Sequence, residues 1–343
     1  MYVSNLSRYE IQATNPRWAR KTEAASALCC HRGFLASVFG RSYYDEEDWN
    51  GGPPSLRQPT NFGGFGQRRK PLTHYRSMEQ ERNVNDLLRL DGKVAIVTGA
   101  CGWLGSTMSR ALAEAGARVV ATSRDADQAG AFAATLPGDG HLGTAFSQGD
   151  TDTIPGFVKD TVERMGQIDI LVNNAYGSTA PSIDTATAED FDQAYHVGVT
   201  AYFLLARDIM LHLRERGAPG SVINIGSMYG VVASYPSAYE GMAMDSPPNY
   251  HGLKGGLVHL TRHLAAYWAA YNIRVNSLSP GAFPKMQFQQ EMPEFIDRLS
   301  QKVPLGRMGR PDELKGALLL LASDAGSYIT GQNLLVDGGW TAW

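Results

Sequence analysis

Tyr250 and Lys254 stand four residues apart in the stretch Tyr250-His251-Gly252-Leu253-Lys254. Leu257, Leu260, Thr261 and Leu264 continue a helical pattern, so the phenol and the amine rise from one face, one turn apart. A phenol ionises near pH 10 in water and is a poor base at about pH 7, whereas a neighbouring ammonium favours its ionised form. Such a pair can exchange a proton with an alcohol or a carbonyl while a hydride moves to or from a carrier. A Tyr and a Lys at this spacing meet often by chance, so the weight of the pair depends on what precedes it. Ser227 follows the run Ser221 to Ile225 and Gly226, at the carboxyl end of an expected strand, where open α/β sheets bind ligands. Its hydroxyl is a candidate partner for the reacting oxygen, and it equally fits an ordinary turn.

A second constellation lies upstream. Val94 to Thr98 reads as a buried strand running into Gly99, Gly102 and Gly105, and then into a helix. Glycine lets such a turn bring backbone N–H groups close to a pyrophosphate, and the helix N-terminus adds favourable potential. The order strand, turn, helix, second strand points to a bound dinucleotide rather than a structural turn. The second strand ends at Ser123 and Arg124, where selection of NAD would place an acidic residue. A guanidinium suits the 2′-phosphate of NADP, with NAD as the alternative and an exposed Arg at a helix start as the plain reading. Asp150, after the third strand, is placed to meet the adenine or merely to cap a helix.

Elements able to hold these groups follow from the texture after Lys93, where short β-branched runs alternate with helical patterns. Strands are expected at 93–98, 117–122, 142–147, 168–172, 220–226, 272–278 and 332–336, with helices near 104–115, 153–165, 187–215, 250–270 and 311–323. Seven strands with right-handed crossovers close as a doubly wound, Rossmann-type α/β parallel sheet flanked by helices. Residues 1–87 show no sustained periodicity and are expected to form a mostly disordered extension, leaving 88–343 as the catalytic domain. The extension contains the basic cluster Arg68-Arg69-Lys70, read as a solvated tail or a docking patch.

Composition narrows the function classes. Of the 343 residues, 43% are hydrophobic and 19% charged, ordinary for a soluble globular protein, and the longest apolar stretch, Leu264 to Tyr271, is far too short to span a membrane. The net charge is −3, and residues 1–90 hold 13 Lys and Arg against 9 acids, leaving 18 against 25 in the body, which speaks against nucleic-acid binding there. Cys29, Cys30 and Cys101 make neither a disulfide framework nor a zinc site, so no metal is expected and a cytoplasmic location fits.

Taken together, Thr98-Gly99, Asn173-Asn174-Ala175, Ser227, Tyr250, Lys254, Pro280-Gly281 and Val336-Asp337-Gly338-Gly339 occur in the order found in short-chain dehydrogenases/reductases. The sequence resembles the compact, single-domain group of that family over about residues 88–343. The resemblance implies oxidoreduction of a CH–OH group with a nicotinamide cofactor. In that reading Ser227 orients the substrate, Tyr250 is the acid/base, and Lys254 lowers its pKa and holds the nicotinamide ribose. Gly99, Gly102, Leu104 and Gly105 would approach the cofactor with Ser123, Arg124 and Asp150. Asn173 and Ala175 would line the adenosine side, and Pro280, Gly281 and Phe283 would cradle the nicotinamide. It also implies a homo-oligomer, a dimer or tetramer, and the tail residues Trp340 and Trp343 agree with an interface.

Four departures from the family pattern are visible. Trp103 takes the place of the turn's usual middle glycine. The residue aligned with the family's catalytic Asn is Gly198, leaving water in that space or His196 to sustain the proton relay. Tyr176 ends the fourth-strand motif in place of glycine. Finally, 23 positions separate Ser227 from Tyr250, about ten more than usual by resemblance, and the added loop carries Tyr235, Tyr239, Glu240, Met242, Met244 and Asp245. These residues suit a polyol or sugar, or else a subunit contact. A weaker resemblance to gluconate-type and nonulosonic-sugar oxidoreductases points the same way. Two other classes stay in view: a redox-silent NAD(P)-binding regulator, and a sugar-nucleotide epimerase or dehydratase, which would need a C-terminal substrate domain.

Overall fold

Continuous apolar runs such as Val94-Ala-Ile-Val97 have no polar face to offer water, and the computed structural model buries them on both sides. It describes residues 81–177, 180 and 182–343. Along the chain the elements are α1 (Val84–Leu87), β1 (Val94–Val97), α2 (Trp103–Glu114), β2 (Arg118–Ser123), α3 (Ala126–Ala133), β3 (Leu142–Ala145), α4 (Ile154–Met165) and β4 (Ile170–Asn173). They continue as α5 (Ala188–Tyr195), α6 (Ala201–Arg216), β5 (Gly220–Ile225), α7 (Pro248–Trp268), β6 (Ile273–Pro280), α8 (Met286–Glu291), α9 (Pro293–Ser300), α10 (Lys315–Ala322) and β7 (Asn333–Val336).

All seven strands pair in parallel, in the order β3-β2-β1-β4-β5-β6-β7. The order reverses between β1 and β4, and a sheet wound both ways from that point opens a crevice beyond the carboxyl ends of those strands. One apolar cluster covers one face through Met108, Leu112, Leu318 and Leu321, and a second covers the other through Ile154, Leu205, Ile209 and Leu264. A third cluster lies beyond the sheet, where Met228, Ala238, Phe295, Leu299, Val303, Met308 and Trp340 pack together.

The seven expected strands are all present, with ends shifted by a few residues. The helix expected over 187–215 is interrupted: a π turn, His196–Thr200, separates α5 from α6. Four helices escaped the sequence reading: the one-turn α1, α3, capped by Asp125 through Gln128 N, and the short α8 and α9. The short α1, capped by Asn83, lies before residue 88. The remainder of the expected extension, residues 1–80, lies outside the described residues.

Candidate active site

Gly99 adopts φ +62°, a left-handed conformation that turns the chain sharply after β1. The turn is fixed from β4: Asn174 Nδ2 donates to Thr98 O at 2.8 Å and Gly99 O at 3.2 Å, while Thr98 Oγ1 accepts from the N–H groups of Asn174 and Ala175. A Cβ at Gly105 would stand 2.2 Å from Gly99 O, so the helix can approach the turn only with glycine there. Gly102 caps α2 with no side-chain hydrogen bond, which leaves the first-turn N–H groups for an anionic ligand. Leu104 is partly buried behind them. Trp103, in place of the usual glycine, sends its indole N–H to Phe283 O at 2.9 Å and so bridges the crevice from α2 to the loop after β6.

On the adenosine side, Ser123 Oγ donates to Gln128 Oε1 at 2.7 Å and Arg124 is exposed at the end of β2. Asp150 is exposed as well, and its side chain makes no cap hydrogen bond. Asn173 is placed differently from the expectation. Its side chain is fully buried and its Nδ2 donates to Tyr202 O and Asn224 Oδ1, because the last residue of β4 turns inward where the next one turns out. The asparagine that meets the glycine turn is Asn174, which the sequence reading passed over. Pro280 is buried at the end of β6, and a Cβ on Gly281 would meet Asp337 at 2.6 Å, so this loop packs directly on the segment after β7.

The chemical groups converge at the carboxyl end of β5. Lys254 is buried, and its Nζ donates to Ile225 O at 2.6 Å. Its ammonium lies 5.5 Å from the centre of the Tyr250 ring. Ser227 Oγ, at the head of a short helical turn, accepts from Tyr229 N at 3.1 Å. Burial pushes the Tyr250 phenol up to about 12, with the Ser227 hydroxyl working the other way and Tyr176 adding to the rise. Burial also pushes Lys254 down to about 7. In the protein alone desolvation therefore outweighs the expected depression of the phenol by the amine. Tyr176, 60% exposed, sets its ring edge-on to Tyr250 with centroids 6.0 Å apart.

The loop between Ser227 and Tyr250 folds over this end of the sheet. Asp245 accepts from Ile183 N at 3.0 Å through both oxygens, and Arg298 donates to Glu240 O at 2.6 Å, so these charges hold the loop in place. Tyr229 stacks on His251 at 4.4 Å, and His251 Nε2 lies 2.8 Å from Ser246 Oγ. Burial chiefly, together with the nearby Tyr239 and Tyr250 phenols, drives the Tyr229 hydroxyl far above the ordinary range, which keeps it a neutral hydrogen-bonding group. Trp340 is buried against Tyr229 and Tyr235 within the same chain, so its burial requires no partner subunit; Trp343 is exposed. His196 gives its Nε2 to Gly149 O at 2.7 Å and serves that loop.

Residues 99–341 match a family model described as enoyl-(acyl carrier protein) reductase. A short-chain type dehydrogenase/reductase from Mycobacterium marinum superposes with a TM-score of 0.69 at 33% identity, covering 76% of this chain and all of that one. The chain belongs to the short-chain dehydrogenase/reductase family. D-threitol dehydrogenase of Mycolicibacterium smegmatis is 33% identical over 265 residues, 76% of this chain and 98% of its own. A gluconate 5-dehydrogenase from Burkholderia cenocepacia, solved with NADP and tartrate, gives a TM-score of 0.68 at 31% identity, covering 76% and 100% of the two chains. After β6 this member carries α8, α9, α10 and β7 and, among the described residues, no separate substrate domain, unlike an epimerase or dehydratase of the extended kind. No described helix is long and apolar enough to cross a membrane.

Proposed function

We propose that this protein is an NADP-dependent dehydrogenase that interconverts a secondary alcohol and a ketone on a polyol or sugar-like substrate. The observation that carries the reading is the convergence of Ser227, Tyr250 and Lys254 at the end of β5, beside a glycine turn built to take a pyrophosphate. A nicotinamide dinucleotide fits that crevice and would supply the hydride acceptor or donor. Gly99, Gly102, Leu104 and Gly105 would hold its phosphates, Asp150 and Ala175 the adenosine side, and Pro280, Gly281, Phe283 and Lys254 the nicotinamide side. Ser123 and Arg124 would take the 2′-phosphate. Asp125, beside Arg124, accepts from Gln128 N as the cap of α3.

Ser227 orients the substrate oxygen by hydrogen bonding. Tyr250 Oη takes the proton of the alcohol, or returns it to the ketone. A phenol raised to about 12 is a reluctant base, so positive charge at Lys254 and at the bound ring has to stabilise the phenolate during the reaction. The buried hydroxyl of Tyr229, kept neutral near Tyr250, matches a substrate with several hydroxyl groups. A homo-oligomer accords with Phe191 and Tyr195 of α5, both more than a third exposed.

The test is a screen of D-threitol, gluconate and other polyols and keto-sugars with each nicotinamide cofactor, followed by absorbance of the reduced nicotinamide. Tyr250→Phe is expected to keep cofactor binding and lose turnover by about a hundredfold or more. Undiminished turnover in that variant would remove Tyr250 from the chemistry.

A further inference from the structure

Tyr176 stands where the family pattern has glycine, and its ring is 60% exposed although it lies edge-on to Tyr250 with centroids 6.0 Å apart. The backbone that carries it is pinned on both sides. Before it, Ala175 N donates to Thr98 Oγ1 at 3.0 Å and Ala175 O accepts from Gln148 Nε2 at 3.2 Å. After it, a Cβ on Gly177 would stand 3.4 Å from Val197, and the buried Ala180 donates its N–H to Asn249 Oδ1 at 3.2 Å. Asn249 is fully buried, gives its Nδ2 to Asp190 O at 2.9 Å and directly precedes Tyr250, so the segments bearing the two rings are tied together. Asp245 of the added loop holds Ile183 N of the same segment at 3.0 Å. Single exposed apolar side chains are ordinary on a protein surface. Tyr176 differs in that its open ring rests on the phenol assigned to proton transfer. An aromatic ring presented from a fixed backbone loses little freedom when a ligand covers it, and ligand sites are lined by such rings.

We propose that Tyr176 is a specificity-determining residue, its ring a platform for the carbon chain of a polyol or keto-sugar whose reacting oxygen is held by Ser227 and Tyr250. This rests on the dehydrogenase reading above. A polyol carries C–H groups between its hydroxyls. An aromatic face can cover those C–H groups while the hydroxyls project sideways to water or polar partners, so no polar group is buried unpaired. The ring belongs to the substrate rather than to the cofactor because its contact is with Tyr250, whose hydroxyl exchanges a proton with the substrate, and not with the glycine turn. Its centre is set 6.0 Å from that of Tyr250, so the platform meets carbons beyond the reacting one rather than the reacting carbon itself. Substrates with a long hydroxylated chain therefore gain from it, and a minimal secondary alcohol such as propan-2-ol does not.

Two measurements on the full chain test this. In steady-state kinetics, Tyr176→Ala should lower kcat/KM for a hexitol such as D-mannitol roughly fivefold, chiefly through KM, and lower that for propan-2-ol by less than about twofold. Tyr176→Phe keeps the aromatic face and should recover most of the hexitol value; a Phe variant as impaired as the Ala variant would assign the effect to the hydroxyl and overturn the platform. Equal losses for both alcohols overturn it too, as does a raised cofactor Kd or a changed assembly mass, which would give the ring to the cofactor or to a subunit contact. The second measurement needs no turnover: saturation-transfer NMR on the chain loaded with reduced cofactor, which cannot accept a hydride from an alcohol. The carbon-bound hydrogens of D-mannitol should receive saturation from the wild type and from Tyr176→Phe, and lose most of it with Tyr176→Ala. A chain that oxidises hexitols equally well with and without the Tyr176 ring overturns the platform alone. One that binds D-mannitol through Tyr176 but oxidises no polyol overturns the dehydrogenase reading alone, and one that neither binds nor oxidises any polyol overturns both.

Discussion

Desolvation is the dominant force on the two central side chains, and it acts on them in opposite directions. Lys254 loses its proton near pH 7 in the folded chain, whereas an unfolded chain keeps it to about pH 10.4. Between those values the unfolded state binds the extra proton, so stability should rise with pH across the window. Lys254→Met removes the titrating group. Its thermal midpoint at neutral pH should lie several degrees above the wild type, and the rise toward alkaline pH should flatten. Differential scanning fluorimetry at a series of pH values reads both effects; a wild-type midpoint that stays flat across the window contradicts the lowered titration of Lys254. At the other end of the crevice, Arg124 is exposed. Arg124→Asp should cut the preference for NADP over NAD by at least about tenfold, since a charge-assisted contact is lost and a repulsion gained. Equal loss of both cofactors would mean that Arg124 serves the fold. Ser227, Tyr250 and Lys254 were legible in the sequence because their chemistry dictates residue type and spacing. The choice between Asn173 and Asn174 was not, because it depends on which way one backbone position faces at the end of β4.

The elements were read well where periodicity is long and poorly where a few residues decide. The parallel strands announced themselves as apolar runs, but α8 and α9, with six and eight residues, are too short for a period to stand out. The π turn is invisible to a 3.6-residue pattern, since the apolar spacing passes through it almost unbroken. Trp103 is the clearest case of an element altered by one residue: its indole ties the start of α2 to Phe283 O across 180 positions of sequence. The link joins two segments proposed to hold the cofactor. Trp103→Phe keeps the ring and removes the N–H, and losing one neutral hydrogen bond should speed cofactor release roughly two- to tenfold. Stopped-flow displacement of the reduced cofactor measures that rate, and an unchanged value would show that the link does not hold the crevice.

At the scale of the molecule, the question is how much of the chain the enzyme needs. The three apolar clusters draw on residues from Leu90 to Trp340, and the ion pair of Arg82 with Asp324 joins α1 to the segment after α10 on an exposed surface, where such pairs add little. The D-threitol dehydrogenase relative is matched over 98% of its length by 76% of this chain. The proposed catalytic groups, the glycine turn and the loop over the site all fall after residue 90. A chain starting at Met78 should therefore fold with the stability of the full-length protein, bind the cofactor with the same affinity and turn over substrate at the same rate within about twofold, since it keeps all three apolar clusters. Thermal melts, cofactor titration and steady-state kinetics on the two chains compare these directly. A selective loss of turnover with unchanged melting would assign the first 77 residues a part in the reaction, and a lowered melting point would make them part of the folded unit.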